Sequence, residues 1–424
     1  MKRWFLPLVF LIFLFVSCGE TTGEKPKNKG LAAFKVEFAD DFDLGSPEKR
    51  RNDVGDSIET TITITALGYD NKPLADYNGT VRISMLYGRN NAPAILDAKD
   101  KPFTDGQAKN IRVQMKYCLD HDRVIVEEMT DEVYELTGKS GVSPIFYTNI
   151  ATISAIQSSI NKSKSTIRSN GKAEGNESNF DRRNFTLKDR EMVVIAVLEG
   201  GFYLHEVGVD DYSSIYMYTY STPYVDDNRE DKTLQENDMS AESDEDPAFE
   251  FLPVGTLIES ANGSVYEFFG FTEMSFPTFK PVYVEKDGKK TLKIDRDLIP
   301  KPYDIGDFLD DDSEMEKHEA SLVKIKNVSV GWFPEDDSSF VEYSQFPLET
   351  SDKKTIMAQT LYTAPLFDAL AKRPENENEE AKCRYNFTGI LKQHTSARPS
   401  SWIIVPRNME DIEPTTLDSK CKLK

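Results

Sequence analysis

Apolar residues recur at every second position in segment after segment of this chain, and that period limits the fold more than any other feature. Phe34, Val36 and Phe38 alternate with polar neighbours, as do Ile58, Ile62 and Ile64 among threonines. Val81, Ile83 and Met85 repeat the pattern, followed by Ile111, Val113 and Met115, then by Val124 and Val126. Successive side chains of a strand point to opposite faces, so such runs read as half-buried strands. Turn chemistry separates them at Tyr69-Asp70-Asn71-Lys72-Pro73, Tyr77-Asn78-Gly79 and Thr104-Asp105-Gly106. Short strands at this spacing predict a β-sandwich over residues 31–157.

The second half continues in strands. Residues 158–184 are rich in Ser, Asn, Lys and Gly and read as a linker, with one short strand around Ile167. Met192 through Leu198 is a continuous apolar run suited to a buried strand; Gly200-Gly201 turns the chain, and Phe202 through Glu206 returns it. Ser214 through Tyr220 alternates aromatic with smaller residues. Past an acidic insertion at 224–250, Val254 through Ile258 and Ser264 through Met274 supply further strands. A third region repeats the theme at Ala320 through Val330, Asn386 through Leu391 and Trp402 through Arg407. The expectation is an all-β chain: a sandwich, one barrel over 185–285, a second over 286–415, and a tail at 416–424.

Three resemblances refine this reading. The stretch TITITALGYDNKPLADYNGTVRIS is similar to the Ig-like repeats of bacterial surface and secreted proteins, which implies an Ig-like sandwich and little about function. The succession "G-F-Y-L-x-E", "I-Y-M-Y", "V-G-T-L-I" and "V-Y-E-F-F-G-F-T-E" resembles the OB-fold modules that accompany some extracellular bacterial nucleases. Glu206 stands where those modules carry aspartate, and Thr256 replaces an acidic residue. "L-V-x-I-x-N-V", "F-T-G-I-L" and "W-I-I-x-P-R-x-x-x-D-I" are similar to a second such barrel, with Arg407 in a structural position. At the N-terminus, Lys2 and Arg3 precede an apolar run from Trp4 to Val16, shorter than the ~20 residues of a membrane span. Phe15-Val16-Ser17-Cys18 resembles the bacterial lipobox, although Phe15 stands where leucine is usual. It implies a signal peptide over 1–17, diacylation of Cys18 and a membrane partner through those acyl chains. Residues 18–30 then form a lipidated tether, and the lack of aspartate after Cys18 directs the product to the outer membrane, facing the periplasm or the cell surface.

The net charge of −21 opposes nucleic-acid binding, which needs Lys and Arg against phosphate. Cys118, Cys383 and Cys421 remain once Cys18 is acylated. Two arrangements are open: a disulfide between Cys383 and Cys421 that ties the tail down, or three unpaired thiols.

No enzyme signature emerges. His121, His205, His318 and His394 are scattered, with no HExxH, GxSxG or phosphate-cradling motif, so neither a metal nor a cofactor is expected. Asp226, Asn228 and Glu230 begin like a calcium loop, but Asp231 and Asn237 occupy positions that need glycine and glutamate. Asp310, Asp311, Asp312, Glu314 and Glu316 read as a solvated acidic loop. Tyr216, Tyr218 and Tyr220 share one side of their strand: a ligand-facing platform if that side points out, core if it points in. The expectation is a non-enzymatic surface lipoprotein presenting binding modules to a protein or glycan. The alternative is an accessory to extracellular nucleic-acid handling, motivated by the OB resemblance alone.

Overall fold

The computed structural model describes residues 30–51, 57–85, 94–95, 103–129, 136–161, 177–198, 200–221, 223–226, 249–286, 288–394, 397 and 399–421. Cys18, its tether, the strand expected at Ile167 and most of the acidic insertion lie outside them. Among the described residues the chain is all-β. No helix there is long and apolar enough to cross a membrane.

In the first unit, β1 (Leu31–Phe38), β2 (Ser57–Gly68), β5 (Gln107–Lys116) and β4 (Ala94–Ile95) form one sheet in that order. A second sheet runs β3 (Thr80–Met85), β6 (Val124–Met129) and β7 (Leu136–Val142). The alternation read from the sequence is the burial pattern of the strands. Phe34, Val36, Ile62, Ile64, Val113 and Met115 of the first sheet share a core with Ile83, Met85, Val124 and Val126 of the second. Each such side chain, removed from water, contributes about 1.5–3 kcal/mol.

The second unit is a closed barrel. β8 (Asn184–Leu198), β9 (Gly201–Glu206), β10 (Ser214–Tyr218), β12 (Phe271–Pro281) and β11 (Leu257–Phe268) pair in that order, and β11 returns to β8. β10 and β12 are parallel. Phe202, Leu204, Ile215, Met217, Val265 and Met274 fill the interior. A short helix, α1 (Ile153–Gln157), begins at Thr152, whose hydroxyl accepts from the Ala155 N–H at 3.0 Å. Its Ile153 and Ile156, with Ala151, belong to the barrel core rather than to that of the first unit. Phe180 and Arg183, in the segment expected as a linker, are buried as well.

Arg183 joins the two units. It is 3% exposed, donates to the carbonyl oxygens of Tyr117, Leu119 and His121, and pairs with Asp122 at 3.0 Å. Its guanidinium lies 4.7 Å from the ring centre of Phe185. A planar, five-donor group suits three carbonyls and a carboxylate converging from one loop.

In the third unit, β13 (Tyr303–Asp304), β14 (Leu322–Val330), β15 (Gln345–Glu349), β16 (Thr355–Gln359), β18 (Trp402–Val405), β17 (Tyr385–Gln393) and β19 (Ile412–Pro414) pair in that order. β14 also pairs with β17, so five of these strands form a closed ring, with β16 and β18 parallel. The ring repeats the order and the parallel closure of the barrel before it. Asn327, at φ 52°, bulges β14 between Ile325 and Val328. Cys383 and Cys421 form a disulfide, Cα to Cα 5.3 Å, that ties the tail to this core. Arg407 is locked by Asp411, with side-chain bonds of 2.9 and 2.8 Å, and its own N–H donates to the same carboxylate.

Candidate functional site

The outer face of the barrel carries a row of aromatic side chains, and the strand register builds it. With Phe202, Leu204, Ile215 and Met217 pointing inward, Tyr203 and Tyr216 must point outward. Tyr203 lies opposite Tyr216, Tyr216 opposite Glu273, and Glu273 opposite Tyr266, so these four form one row across the face. The next row is Gly201, Tyr218 and Ser275. Gly201 has no side chain for a reason: a Cβ there would collide with the Met217 carbonyl oxygen and the Tyr216 ring.

The three tyrosines singled out from sequence have three different environments. Tyr216 is 9% exposed, stacks on Tyr203 at 4.7 Å and lies 5.7 Å from Phe271. Ala320, Leu322 and Ile390 of the third unit join the same cluster, so the face points out of the barrel yet is covered by its neighbour. Tyr218 is half-buried at the margin of that contact. Tyr220 lies past the end of β10, with φ 69°, and is 59% exposed; it therefore does not continue the alternation. Its ring and that of Phe276, itself 66% exposed, flank Tyr218 at 6.2 and 5.8 Å. Tyr218, Tyr220 and Phe276 thus form an open aromatic edge beside a closed tyrosine stack.

Polar groups sit under this edge. Glu273 is buried and accepts from the Ser275 hydroxyl at 2.8 Å. Burial pushes its carboxyl up, and burial likewise pulls the Lys392 ammonium, which faces it electrostatically, down. Lys392 Nζ lies 5.7 Å from the centre of the Phe271 ring. Burial first, then Glu273, raises the Tyr216 phenol, which stays a neutral donor and acceptor. Phe276 and Lys392 were not singled out from sequence, and Glu273 entered only as the last residue of a strand motif. Phe276 sits at φ 47° and breaks the alternation of β12, and Lys392 arrives from a strand more than a hundred residues away.

A second cluster lies where the β11–β12 hairpin meets α2 (Asp312–Lys317) and the turn after it. Glu267 accepts from the Ser178 N–H at 2.8 Å and the Thr272 hydroxyl at 3.1 Å. Glu319 accepts from the Thr272 N–H at 3.1 Å, and Glu316 from the Gln393 amide at 3.5 Å. Oε1 of Glu267 and Oε2 of Glu319 are buried without a hydrogen-bond partner. Burial, with the negative charge of its neighbours, holds both carboxyls well above the usual range. Among the described residues no group of three or more His, Cys, Asp or Glu is placed to hold a metal ion.

The remaining candidates have structural partners. Asp311 caps α2 by accepting from the N–H groups of Ser313 and Glu314 at 3.0 and 3.2 Å, Asp312 accepts from the Trp402 indole at 2.9 Å, and Asp310 pairs with Lys354 at 3.4 Å. His205 Nδ1 is 3.1 Å from the Ser214 hydroxyl, but both residues are buried, and burial pushes the imidazole down to about 4. His318 stacks on Tyr303 at 3.7 Å, His394 on Phe269 at 4.6 Å, and His121 sits 2.9 Å from an Asp120 oxygen. The open aromatic edge offers stacking and hydrogen bonding. Comparison with protein-family models, curated proteins and solved structures finds no match.

Proposed function

We propose that the chain is a non-enzymatic envelope lipoprotein, held to the outer membrane by acyl chains on Cys18, that presents an Ig-like sandwich and two OB-like barrels to a protein or glycan partner. The observation that carries this reading is the order of the strands. Sheets β1-β2-β5-β4 and β3-β6-β7 match the ABED and CFG sheets of a constant-type Ig domain. The two closed rings share the order first, second, third, fifth, fourth, with a parallel pairing of third and fifth strands. This order supports the OB-like reading of both. Such modules serve many unrelated functions, so the binding role is argued from the exposed edge of Tyr218, Tyr220 and Phe276.

The anchor is tested in a Gram-negative host by metabolic labelling with an alkyne fatty acid, followed by membrane fractionation. The wild type is labelled and sediments with outer membrane, and Cys18→Ser is unlabelled and released. Labelling that survives Cys18→Ser sinks the anchor. For the binding role, the soluble body from residue 19 is titrated with single-stranded DNA across a salt series and with an array of glycans. Saturable DNA binding that weakens steeply with salt favours the nucleic-acid reading instead.

A further inference from the structure

A cleft of about 320 Å³ opens between the first unit and the barrel, and its lining shares no residue with the tyrosine face. We propose that this cleft binds an uncharged saccharide unit. The proposal rests on the reading of the chain as a binding protein and names a ligand class and a place for it.

The lining carries the argument. Ser57, Ser158 and Ser159 bring hydroxyls, Asn149 and Asn179 bring amides, and Tyr117 and Phe180 bring rings. No Asp, Glu, Lys, Arg or His is among the residues that line it. In a chain with 29% charged residues and a net charge of −21, a lining without charged side chains is a marked departure from the average composition. Neutral donors and acceptors beside aromatic faces suit a ligand with many hydroxyls and apolar C–H faces, and a charged ligand finds no counterion there. The volume is at the lower end for small-ligand sites.

Two further observations point to an occupant. Thr148, 2% exposed, lines the cleft, and its hydroxyl oxygen has no hydrogen-bond partner. Buried polar atoms of this kind are rare in folded proteins, and this one lies in the wall of the cleft. The wall is also held rigid. Tyr117 adopts a left-handed backbone at φ 55°, while Arg183 binds the carbonyl oxygens of Tyr117, Leu119 and His121 from behind. Arg50 holds the other side through the carbonyl oxygens of Asp120 and Thr148, at 2.6 and 3.1 Å. Supporting groups of this kind keep a binding wall in one geometry before the ligand arrives.

Cys118, which also lines the cleft, supplies the readout. The soluble body is alkylated at Cys118 with a maleimide in the presence of maltotriose, cellotriose, tri-N-acetylchitotriose or a uronic-acid trisaccharide, each at about 10 mM, and saturation-transfer NMR is run in parallel. That concentration is ten times the ~1 mM Kd of a weak complex. The expected result is that at least one neutral saccharide binds saturably and slows alkylation. Ser158→Trp, which fills the cleft from an exposed position, weakens binding by about tenfold or more, and added salt leaves the wild type unchanged. Asn149→Leu repeats the test should Ser158→Trp fail to fold, and the alkylation itself needs no variant. Saccharide binding that persists in both variants overturns the cleft while leaving the glycan-binding reading in place. Binding of the uronic-acid sugar alone, or of none, overturns the saccharide itself.

Discussion

Tyr216 and Tyr220 lie four residues apart and illustrate how far position in a strand decides what a residue does. The Tyr216 ring stacks on Tyr203 and packs beside Phe271 under the third unit, whereas the Tyr220 ring is mostly in water. Tyr216→Ala should therefore cost about 3–5 kcal/mol, as truncations of buried aromatics do, and Tyr220→Ala less than about 0.5 kcal/mol. Urea denaturation of the two variants checks this, and equal costs would contradict the geometry described. The period-two pattern made Tyr216 and Tyr218 legible as neighbours on one face. It gave no means of seeing that a second unit covers that face, because Ala320, Leu322 and Ile390 come from far along the chain. Nor did it give warning of the positive φ at Tyr220, which depends on where β10 ends.

At the level of elements, two contacts fix the third unit. The first is the Cys383–Cys421 disulfide, 38 residues apart, which fastens the C-terminal turn beneath Tyr385. Closing a loop of that size restricts the unfolded chain by about 4 kcal/mol in the chain-entropy treatment. Cys383→Ser and Cys421→Ser should each lower stability by roughly 2–4 kcal/mol, with the same loss in the double variant. The second is the carboxylate cluster between the β11–β12 hairpin and α2. Glu267 and Glu319 are held above the ordinary carboxylate range by burial and by Glu316 and Asp181 nearby. Carboxyls raised in the folded state favour folding below that range, and the contribution is lost as pH rises through the raised values. Stability measured by urea unfolding should thus fall as pH rises from the ordinary carboxylate range through the raised values, and Glu319→Gln should flatten the slope. A slope unchanged by the substitution would mean that Glu319 does not hold its proton. Neither contact follows from local pattern. The cysteine spacing left pairing and non-pairing both open, and Glu267, Glu316 and Glu319 each look like surface charge until three elements fold together.

For the whole molecule, the strands and their punctuation were readable in sequence, since alternation and turn residues are local properties. The joints were not. Ala151, Ile153 and Ile156 follow the first unit in sequence but belong to the barrel core, and Phe180 and Arg183 sit in a segment whose neighbours are polar. The first two units therefore share buried structure rather than a simple tether, and Arg183 is its centre. Replacing Arg183 with methionine keeps much of the volume but leaves Asp122 and three carbonyl groups buried without their donor. Removing one partner of a buried pair costs about 3–5 kcal/mol. That loss falls on the joint, because the apolar core of the first unit does not contain Arg183, Phe180 or Phe185. Calorimetry of the wild type should accordingly show the first unit melting together with the barrel, and Arg183→Met should split off an earlier transition. Arg183→Lys should not restore the single transition, because a lysine ammonium has three donors on one point and cannot span the carbonyls of Tyr117, Leu119 and His121 together with Asp122. If Arg183→Met still melts in one step at an unchanged temperature, the two units are coupled through the apolar contacts of Leu119 and Tyr117 with the barrel core, and the guanidinium is secondary.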